Sequence, residues 1–275
     1  MRVDDVAIWC SECNRHTPLR APIDLRPVRP HRAVVELDAV VSSSPDQVLE
    51  AVTIGPPQIT YAGPQAQRDS RELISEMIKS VPKNGRVLDL GCGPRDQAKP
   101  MEYIGYQYVG ADYSSPSADL LVDAHSMPFC NNFFECVFCY AVLEHLHSPV
   151  LAIREIERVL RPGGIFIGTV SQGEPFHASY FHHTVWGLVS LAGSSTTMRL
   201  ARLWCGPRTL RSLATMGRYP RAIKSLLNVV DLIDAWAPWL APRRQAWSHR
   251  DKQLDALYRA GSICFAMKKI SSATC

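Results

Sequence analysis

The sequence predicts an α/β fold in which helices cover both faces of a doubly wound, mostly parallel sheet. Three observations predict it. Short apolar runs alternate with helical spacing between residues 86 and 170, a Gly-x-Gly turn follows the first run, and acidic residues follow the next two. Strands separated by helices form parallel sheets with right-handed crossovers. A chain of 275 residues suits one large domain of this kind with additions, and its core needs no disulfide staples.

The elements of this pattern follow one another in a definite order. Apolar residues at three- and four-residue steps predict an amphipathic helix over 66–81, and Pro82, Asn84 and Gly85 end it. The next predicted elements are strands Arg86–Leu90, Tyr106–Ala111, Leu120–Val122 and Glu135–Tyr140, helix Val150–Leu160, strand Ile165–Val170, helix Tyr180–Leu191, and strands Met198–Trp204 and Ser262–Lys268.

Two regions lie outside this alternation. Residues 1–66 are rich in proline and are expected to form an irregular extension with a small cysteine-containing module. Residues 67–275 are expected to form the main domain, with a helical, basic, tryptophan-rich insertion at about 205–261. The pair Cys10-x-x-Cys13 is half of a zinc-ribbon pattern. No second Cys-x-x-Cys occurs, so Cys10 and Cys13 are only a weak metal candidate.

The cysteine distribution and the N-terminal residues indicate a compartment. Nine cysteines are scattered along the chain, and the acidic start MRVDDVAIW lacks the apolar core of a secretory signal. We therefore expect a cytoplasmic protein with mostly free thiols. The longest apolar stretches are broken by charges well before the roughly 18 residues that a membrane span needs.

The insertion differs from the rest of the chain in charge. From Arg199 to Arg259 there are twelve Lys/Arg and four Asp/Glu, an excess that suits a phosphate-bearing substrate, nucleic acid or an anionic membrane surface. A solvated basic face explains the excess equally well. An apolar helical stripe runs through Ile223, Leu226, Leu227, Val230, Ile233 and Trp236. Core packing is the favoured interpretation of this stripe, and peripheral membrane contact through 199–250 is the alternative.

The residues after the first three predicted strands carry the chemical signal. Gly91 and Gly93 let the backbone bend and let a ligand approach without interference from a Cβ atom. Asp89 precedes the turn, Asp112 ends the second strand and Asp123 follows the third. Carboxylates at these strand ends can bind an ammonium group, a ribose diol and an adenine amine. Singly, each is more often a turn or cap residue, but three at successive strand ends favour a nucleoside-type ligand.

The combined motifs resemble a known family. The segments RVLDLGCG, YVGADYS, DAHSMPF, FFECVFCYAVLEHL and EIERVLRPGGIF are similar, in order and spacing, to class I S-adenosylmethionine-dependent methyltransferases, and most of all to the type 11 branch that includes ubiquinone and menaquinone methyltransferases. The resemblance implies a Rossmann-like, seven-stranded sheet whose last strand is antiparallel. Two departures are Arg95, where the family often has a third glycine, and Glu135, where it usually has Asp.

The resemblance also implies the cofactor S-adenosyl-L-methionine and a set of residues around it. Asp89, Gly91, Cys92 and Gly93 would surround the methionine portion, and Tyr140 would lie beside the methyl group. Asp112 and Tyr113 would contact the ribose and its surroundings, and Asp123 with Ala124 the adenine.

Methyl transfer to a hydroxyl acceptor can require a general base. The leading candidate is His145 in the family's Glu-His pair, although a structural role is the more common one for a lone histidine. His147, His177, His182 and His183 are the other candidates.

Several functions remain open from the sequence. The leading expectation is an enzyme that methylates a small-molecule acceptor, lipid- or glycan-linked in one version. The alternatives are a nucleic-acid methyltransferase, which lacks an evident recognition module here, and a non-catalytic binding protein with a methyltransferase fold. Asp96, where a dinucleotide fingerprint needs glycine, disfavours a nicotinamide-dependent dehydrogenase. The acceptor and the oligomeric state are not specified by the sequence.

Overall fold

The computed structural model describes residues 2–3, 7–10, 15–18, 23–24, 53–60, 69–173, 178–240, 257 and 259–270. The strands in this part of the chain are β1 (Arg2–Val3), β2 (Ala7–Cys10), β3 (Arg15–Pro18), β4 (Ile23–Asp24), β5 (Thr53–Thr60), β6 (Arg86–Leu90), β7 (Gln107–Asp112), β8 (Leu120–Leu121), β9 (Phe134–Tyr140), β10 (Leu160–Ser171), β11 (Met198–Cys205) and β12 (Ser262–Lys269). The helices are α1 (Asp69–Ser80), α2 (Ala98–Ile104), α3 (Pro149–Val159), α4 (Val185–Gly193), α5 (Thr209–Met216) and α6 (Arg221–Leu240).

The main sheet confirms the predicted fold class. Its strand order is β4-β8-β7-β6-β9-β10-β12-β11-β5, and the seven strands from β8 to β11 are the predicted seven-stranded sheet. Strand β12 is antiparallel to both of its neighbours, and the other pairings are parallel. The chain winds outward in one direction from β6 through β7 to β8, and in the other from β9 to β10. A ligand crevice is therefore expected at the carboxyl ends of β6 and β9, where the winding direction reverses.

Most helices and strands begin and end within a few residues of the bounds that the apolar spacing predicts. Helix α1 buries Leu73, Met77 and the following Val81, as the periodicity predicts. Helix α3 begins with Pro149 in its first turn, where a missing N–H costs nothing, and it buries Ile153 and Ile156. The predicted helix Tyr180–Leu191 is wrong at its start. The Thr184 side chain accepts from the Gly187 N–H at 3.1 Å and caps α4, which begins at Val185.

Two strands from the first 60 residues extend the main sheet. Strand β4 pairs with β8 at one edge, and β5 pairs with β11 at the other. Pro56 and Pro57 lie within β5, at a register shift where Leu200 pairs with Thr53 but Arg202 pairs with Gln58. Proline is tolerated there because edge strands and bulges leave N–H positions unpaired. Strands β1, β2 and β3 form a separate antiparallel sheet.

The insertion between β11 and β12 contains α5 and α6, which pack against each other. The expectation that its apolar stripe packs into the core is wrong for four residues, which are between 41% and 62% exposed: Ile223, Leu226, Val230 and Ile233. Leu227 is half-buried. Leu226 and Ile233 are each 62% exposed, whereas Asp231 is only 2% exposed. Among the described residues, no helix has both the length and the apolar character required to cross a membrane.

Candidate functional site

The glycine turn after β6 is fixed to the neighbouring strand. The N–H groups of Gly91 and Cys92 donate to the Ala111 carbonyl at 2.7 and 3.0 Å. Gly91 has φ +76°, and a Cβ atom there would lie 2.2 Å from Cγ2 of Val142, in the loop after β9. Glycine is therefore required at this position by both backbone conformation and space. The turn and the loop after β9 meet at the carboxyl ends of β6 and β9.

Gly93, two residues later, is constrained differently. Its φ is +51°, and no atom lies within 4 Å of the position that a Cβ would occupy. Its N–H donates to Oδ2 of Asp112 at 3.0 Å. The space beside Gly93 is open, so a ligand can approach the backbone closely at this point.

The Asp112 carboxylate links the two loops that follow β6 and β7. Besides the bond from Gly93, its Oδ1 atom accepts from the N–H groups of Ser114 and Ser115, each at 2.9 Å. A carboxylate has about four acceptor positions, so roughly one remains for a further donor. Tyr113 follows Asp112 in the sequence, and its side chain is 61% exposed.

Asp89 is the most perturbed acid of the site. It is 2% exposed, and its Oδ2 accepts a hydrogen bond from the Tyr108 hydroxyl at 2.7 Å. Burial raises its pKa to about 6, although the bond from Tyr108 opposes the rise. The charge of Asp112 raises the pKa further, and Arg95 lowers it. A buried carboxylate in this state favours a cationic partner.

Tyr108 is a site residue that sequence reasoning missed. Because side chains alternate between the two faces of a strand, residues 108, 110 and 112 lie on one face of β7. Gly110 pairs with Asp89 in the sheet register. A Cβ atom on Gly110 would lie 3.0 Å from the Tyr108 hydroxyl. The missing side chain therefore lets Tyr108 lie along the strand and reach Asp89. The signal was present in the sequence as Tyr-x-Gly-x-Asp.

Arg95, where the resemblance led us to expect glycine, keeps a backbone conformation that glycine favours, with φ +63°. Its guanidinium lies 3.1 Å from Oδ2 of Asp119 and 5.3 Å from the centre of the Tyr108 ring. The Asp119 carboxylate also accepts from the Gly110 N–H at 2.8 Å. These contacts offset the strain and place one positive charge near Asp89.

Asp123 and its neighbours form the end of the site beyond β8. Oδ1 of Asp123 accepts from the His125 N–H at 2.9 Å and lies 2.7 Å from Nδ1 of His125. Because Nε2 of His125 accepts from the Ser148 N–H at 3.3 Å, the ring proton lies on Nδ1, which donates a hydrogen bond to Asp123. The ring of His147 stacks on His125 with centroids 4.1 Å apart, a contact that sequence reasoning also missed. Ala124 is buried.

Asp123 keeps an oxygen that these contacts do not use. Both bonds go to Oδ1, and Oδ2 accepts none from the part of the chain that the structure describes. Oδ2 is therefore available to a further donor, as an adenine amine would be.

The loop after β9 brings the remaining candidates together. Half-buried Tyr140 ends the strand, and Ala141 turns the chain with φ +55° and donates to the Thr169 carbonyl at 3.1 Å. Glu144 is fully buried, and its Oε1 accepts from the Ser171 N–H at 3.1 Å, so it holds the loop to β10. His145, the leading base candidate, is exposed on the same short 3-10 turn.

The other base candidates fall in different surroundings. His183 is buried, and its backbone N–H donates to the Ser171 carbonyl at 2.8 Å. Its ring atom Nε2 has no hydrogen-bond partner among the described residues. Burial lowers its pKa, so the ring is neutral near pH 7. His182 is exposed, with Nδ1 3.1 Å from the Gln172 carbonyl. His177 lies outside the described residues.

The thiol and metal candidates can be placed only in part. Burial and nearby acids raise the pKa of Cys92 to about 12, so its thiol stays neutral beside the turn. Cys10 ends β2, but Cys13 lies outside the described residues. Within the described ranges, no group of three or more His, Cys, Asp or Glu side chains is placed to hold a metal ion.

Comparisons with known proteins match a segment of the chain that contains most residues of this site. Residues 88–168 match the family model described as a methyltransferase domain, type 11. The demethylmenaquinone methyltransferase of Renibacterium salmoninarum is 28% identical over 141 residues, which is 46% of this chain and 59% of that protein. A ubiquinone biosynthesis O-methyltransferase of Dinoroseobacter shibae is 24% identical over 200 residues, 66% of this chain and 74% of that protein.

A third relative is named for a different reaction. The human mitochondrial arginine-hydroxylase NDUFAF5 is 24% identical over 120 residues, 38% of this chain and 34% of that protein. The matched regions cover from 39% to 59% of the lengths of the first three curated relatives. The match therefore concerns the domain around the site.

Gly91 and Gly93 provide a matched pair of substitutions. Gly91→Ala should lower the free energy of unfolding by about 2–4 kcal/mol, because it combines left-handed strain with the Val142 clash. Gly93→Ala should cost only about 1 kcal/mol, because only the strain applies. Urea denaturation measures both.

The double variant Gly91→Ala/Val142→Ala tests the assigned clash. It should show a favourable coupling of at least about 1 kcal/mol. Equal costs for the two glycine variants, or no coupling, would contradict the contact.

The raised pKa of Asp89 predicts a pH-dependent stability. A carboxyl whose folded pKa lies above its unfolded value stabilises the fold below the unfolded pKa, and this contribution is lost as pH rises through about 6. Asp89→Asn should therefore gain up to roughly 3 kcal/mol relative to the ligand-free wild type between about pH 4 and pH 8. Chemical denaturation across that range measures the difference.

Tyr108→Phe provides the second arm of this test. It removes a hydrogen bond that lowers the Asp89 pKa. The pH at which stability falls should therefore be higher in Tyr108→Phe than in wild type. A stability difference between wild type and Asp89→Asn that does not change with pH would show that the carboxyl is not perturbed.

Proposed function

Because the chain carries a class I, S-adenosylmethionine-dependent methyltransferase domain of the type 11 family, we propose that it transfers a methyl group to a small-molecule acceptor. The observation that carries the proposal is that Asp89 and Asp112 lie at the carboxyl ends of adjacent strands β6 and β7 beside an open glycine turn, and that Asp123 follows the next strand, β8. In this proposal each acid would bind a different part of an adenosyl sulfonium compound.

The residues present fit S-adenosyl-L-methionine. The open space at Gly93 admits a ligand against the backbone, and the buried, imperfectly neutralised carboxyl of Asp89 suits the ammonium group of the methionine portion. Asp112 has acceptor capacity left for a ribose hydroxyl, and Oδ2 of Asp123 for the adenine amine. In this assignment Gly91, Cys92 and Tyr140 complete the methionine side, Tyr113 lies against the adenosine, and Ala124 supplies a backbone group to the adenine.

When bound, the cofactor supplies a methyl group on a positively charged sulfur, which is already activated for displacement. The chain then has to align the acceptor with that methyl group and exclude water. The fixed loop from Tyr140 to His145, joined to β10 through Glu144, supports this alignment. We assign His145 as the general base for a hydroxyl acceptor. His183 is the alternative, since its ring is neutral near pH 7 and its Nε2 has no hydrogen-bond partner among the described residues.

The relatives guide the choice of acceptor. One is named demethylmenaquinone methyltransferase and another ubiquinone biosynthesis O-methyltransferase, so a quinone-type or phenolic acceptor is the first class to test. We propose that the protein acts in the cytoplasm. The non-catalytic alternative predicts cofactor binding without turnover.

The cofactor site is tested by calorimetry with S-adenosylhomocysteine, the demethylated product. Wild type should bind in the micromolar range, and Asp112→Asn should bind at least about tenfold more weakly, because a charged acceptor of the ribose is lost. Asp96→Asn is the matched control, since Asp96 is an exposed acid of the same region, and it should bind as wild type does. Equal affinities for all three proteins would refute the site.

The base assignment is tested with an active acceptor from a panel of phenols and hydroxyquinones. His145→Ala should lower kcat about 10²- to 10⁴-fold and leave S-adenosylhomocysteine affinity unchanged. His182→Ala should retain kcat. Loss of kcat in His183→Gln but not in His145→Ala would transfer the role to His183, and full activity of both variants would exclude a histidine base.

A further inference from the structure

Helix α6 presents a broad apolar face to the surroundings. Six of its large apolar side chains are between 41% and 62% exposed: Ile223, Leu226, Val229, Val230, Leu232 and Ile233. At about 100° per residue these positions share one side of the helix, and Leu226, Val229 and Ile233 lie near its centre. Contiguous exposed patches of this kind mark interaction sites more often than ordinary surface.

An ion pair holds the opposite side of α6 against the protein. Asp231 is 2% exposed, and both of its carboxylate oxygens accept from the Arg208 guanidinium, at 2.6 and 2.8 Å. Arg208 also donates to the Asp231 carbonyl at 3.0 Å. The inward side of the helix is thus charged and paired, while the outward side is apolar. This reverses the usual arrangement of a helix in contact with water.

The charges near the apolar face are positive. Arg221 is exposed in the first turn of α6, and Arg218 is exposed three residues before the helix begins. Half-buried Lys224 lies instead on the side of the helix that carries Asp231. Asp231 is the one acidic residue in the part of α6 whose side chains are described, and it is buried.

We infer that α6 is a docking surface for an anionic lipid membrane, on which the helix lies in the plane of the interface. An apolar face that carries Leu, Ile and Val, with basic residues beside it, is the pattern by which interfacial helices bind such membranes. The cations meet the lipid headgroups, and the apolar side chains enter the boundary with the acyl chains. A second copy of the chain is a poorer occupant, since the described rim of this face carries cations without exposed carboxylates to pair with them.

The docking helix is connected to the candidate site. Gly173, just beyond β10, donates to the Gly261 carbonyl at 2.8 Å, and a Cβ atom on Gly173 would lie 2.6 Å from Oγ1 of Thr209 at the start of α5. Helix α5 in turn packs on α6. If the proposed function holds, an acceptor that dissolves in the membrane would enter from this side.

Vesicle flotation of the full chain tests the inference. At low ionic strength wild type should float with vesicles of phosphatidylcholine and phosphatidylglycerol, and much less with phosphatidylcholine alone. Binding should weaken as salt is added, because surface attraction is screened. Leu226→Glu should weaken binding to the anionic vesicles at least about tenfold, since it places a charge at the centre of the face.

Asn228→Glu is the matched control, because it adds the same charge at an exposed polar position of the same helix. It should bind clearly better than Leu226→Glu. Both variants should keep the thermal midpoint of wild type and its affinity for S-adenosylhomocysteine, so failure of docking is distinguishable from failure of the cofactor site.

Three results would overturn the inference. The first is a wild-type protein that does not float with anionic vesicles. The second is equal loss of flotation in the two variants. The third is a dimer, seen by light scattering, that Leu226→Glu dissociates, because a second copy would then occupy the face.

Discussion

The contact between the bend after β6 and the loop after β9 is the constraint on which the rest of the site depends. Val142 occupies the space that a side chain on Gly91 would need, so the two loops approach as closely as backbone and side chain allow. That approach lies at the point where the sheet reverses its winding, which is where a ligand crevice is expected. The bonds from Gly91 and Cys92 to Ala111 extend the same rigid unit to β7, and so fix the position of Asp112.

The negative charge of Asp89 within this rigid unit is only partly neutralised. Asp89 is buried with a tyrosine hydroxyl and an incompletely compensating arginine, which leaves its carboxyl less acidic than usual. Binding proteins often keep such groups because the ligand supplies the missing charge. The cost falls on the stability of the ligand-free protein, and a cationic ligand removes it. In the proposed site, Asp89 would therefore affect both the stability of the protein and its affinity for the ligand.

Much of the fold was accessible from the sequence, because strands β6 and β9 and helices α1 and α3 follow local apolar spacing. The edge strands β4 and β5 were not, since their pairing partners are distant in sequence and the two prolines of β5 argue against a strand. Tyr108 was missed because its role depends on the register of β6 and β7. The apolar stripe of α6 was recognised, but its direction was not, because a buried ion pair at Asp231 determines which side faces inward.

The two edges of the main sheet have a consequence for how much of the chain is a stable unit. Both edge strands come from residues that precede the family-matched region, so a shortened protein that starts near residue 66 would leave the eight-residue β11 with an open side. An uncovered strand of that length is a template for other molecules to add to, whereas Pro56 and Pro57 make β5 a poor one. By covering β11, strand β5 would therefore disfavour self-association through this edge of the sheet.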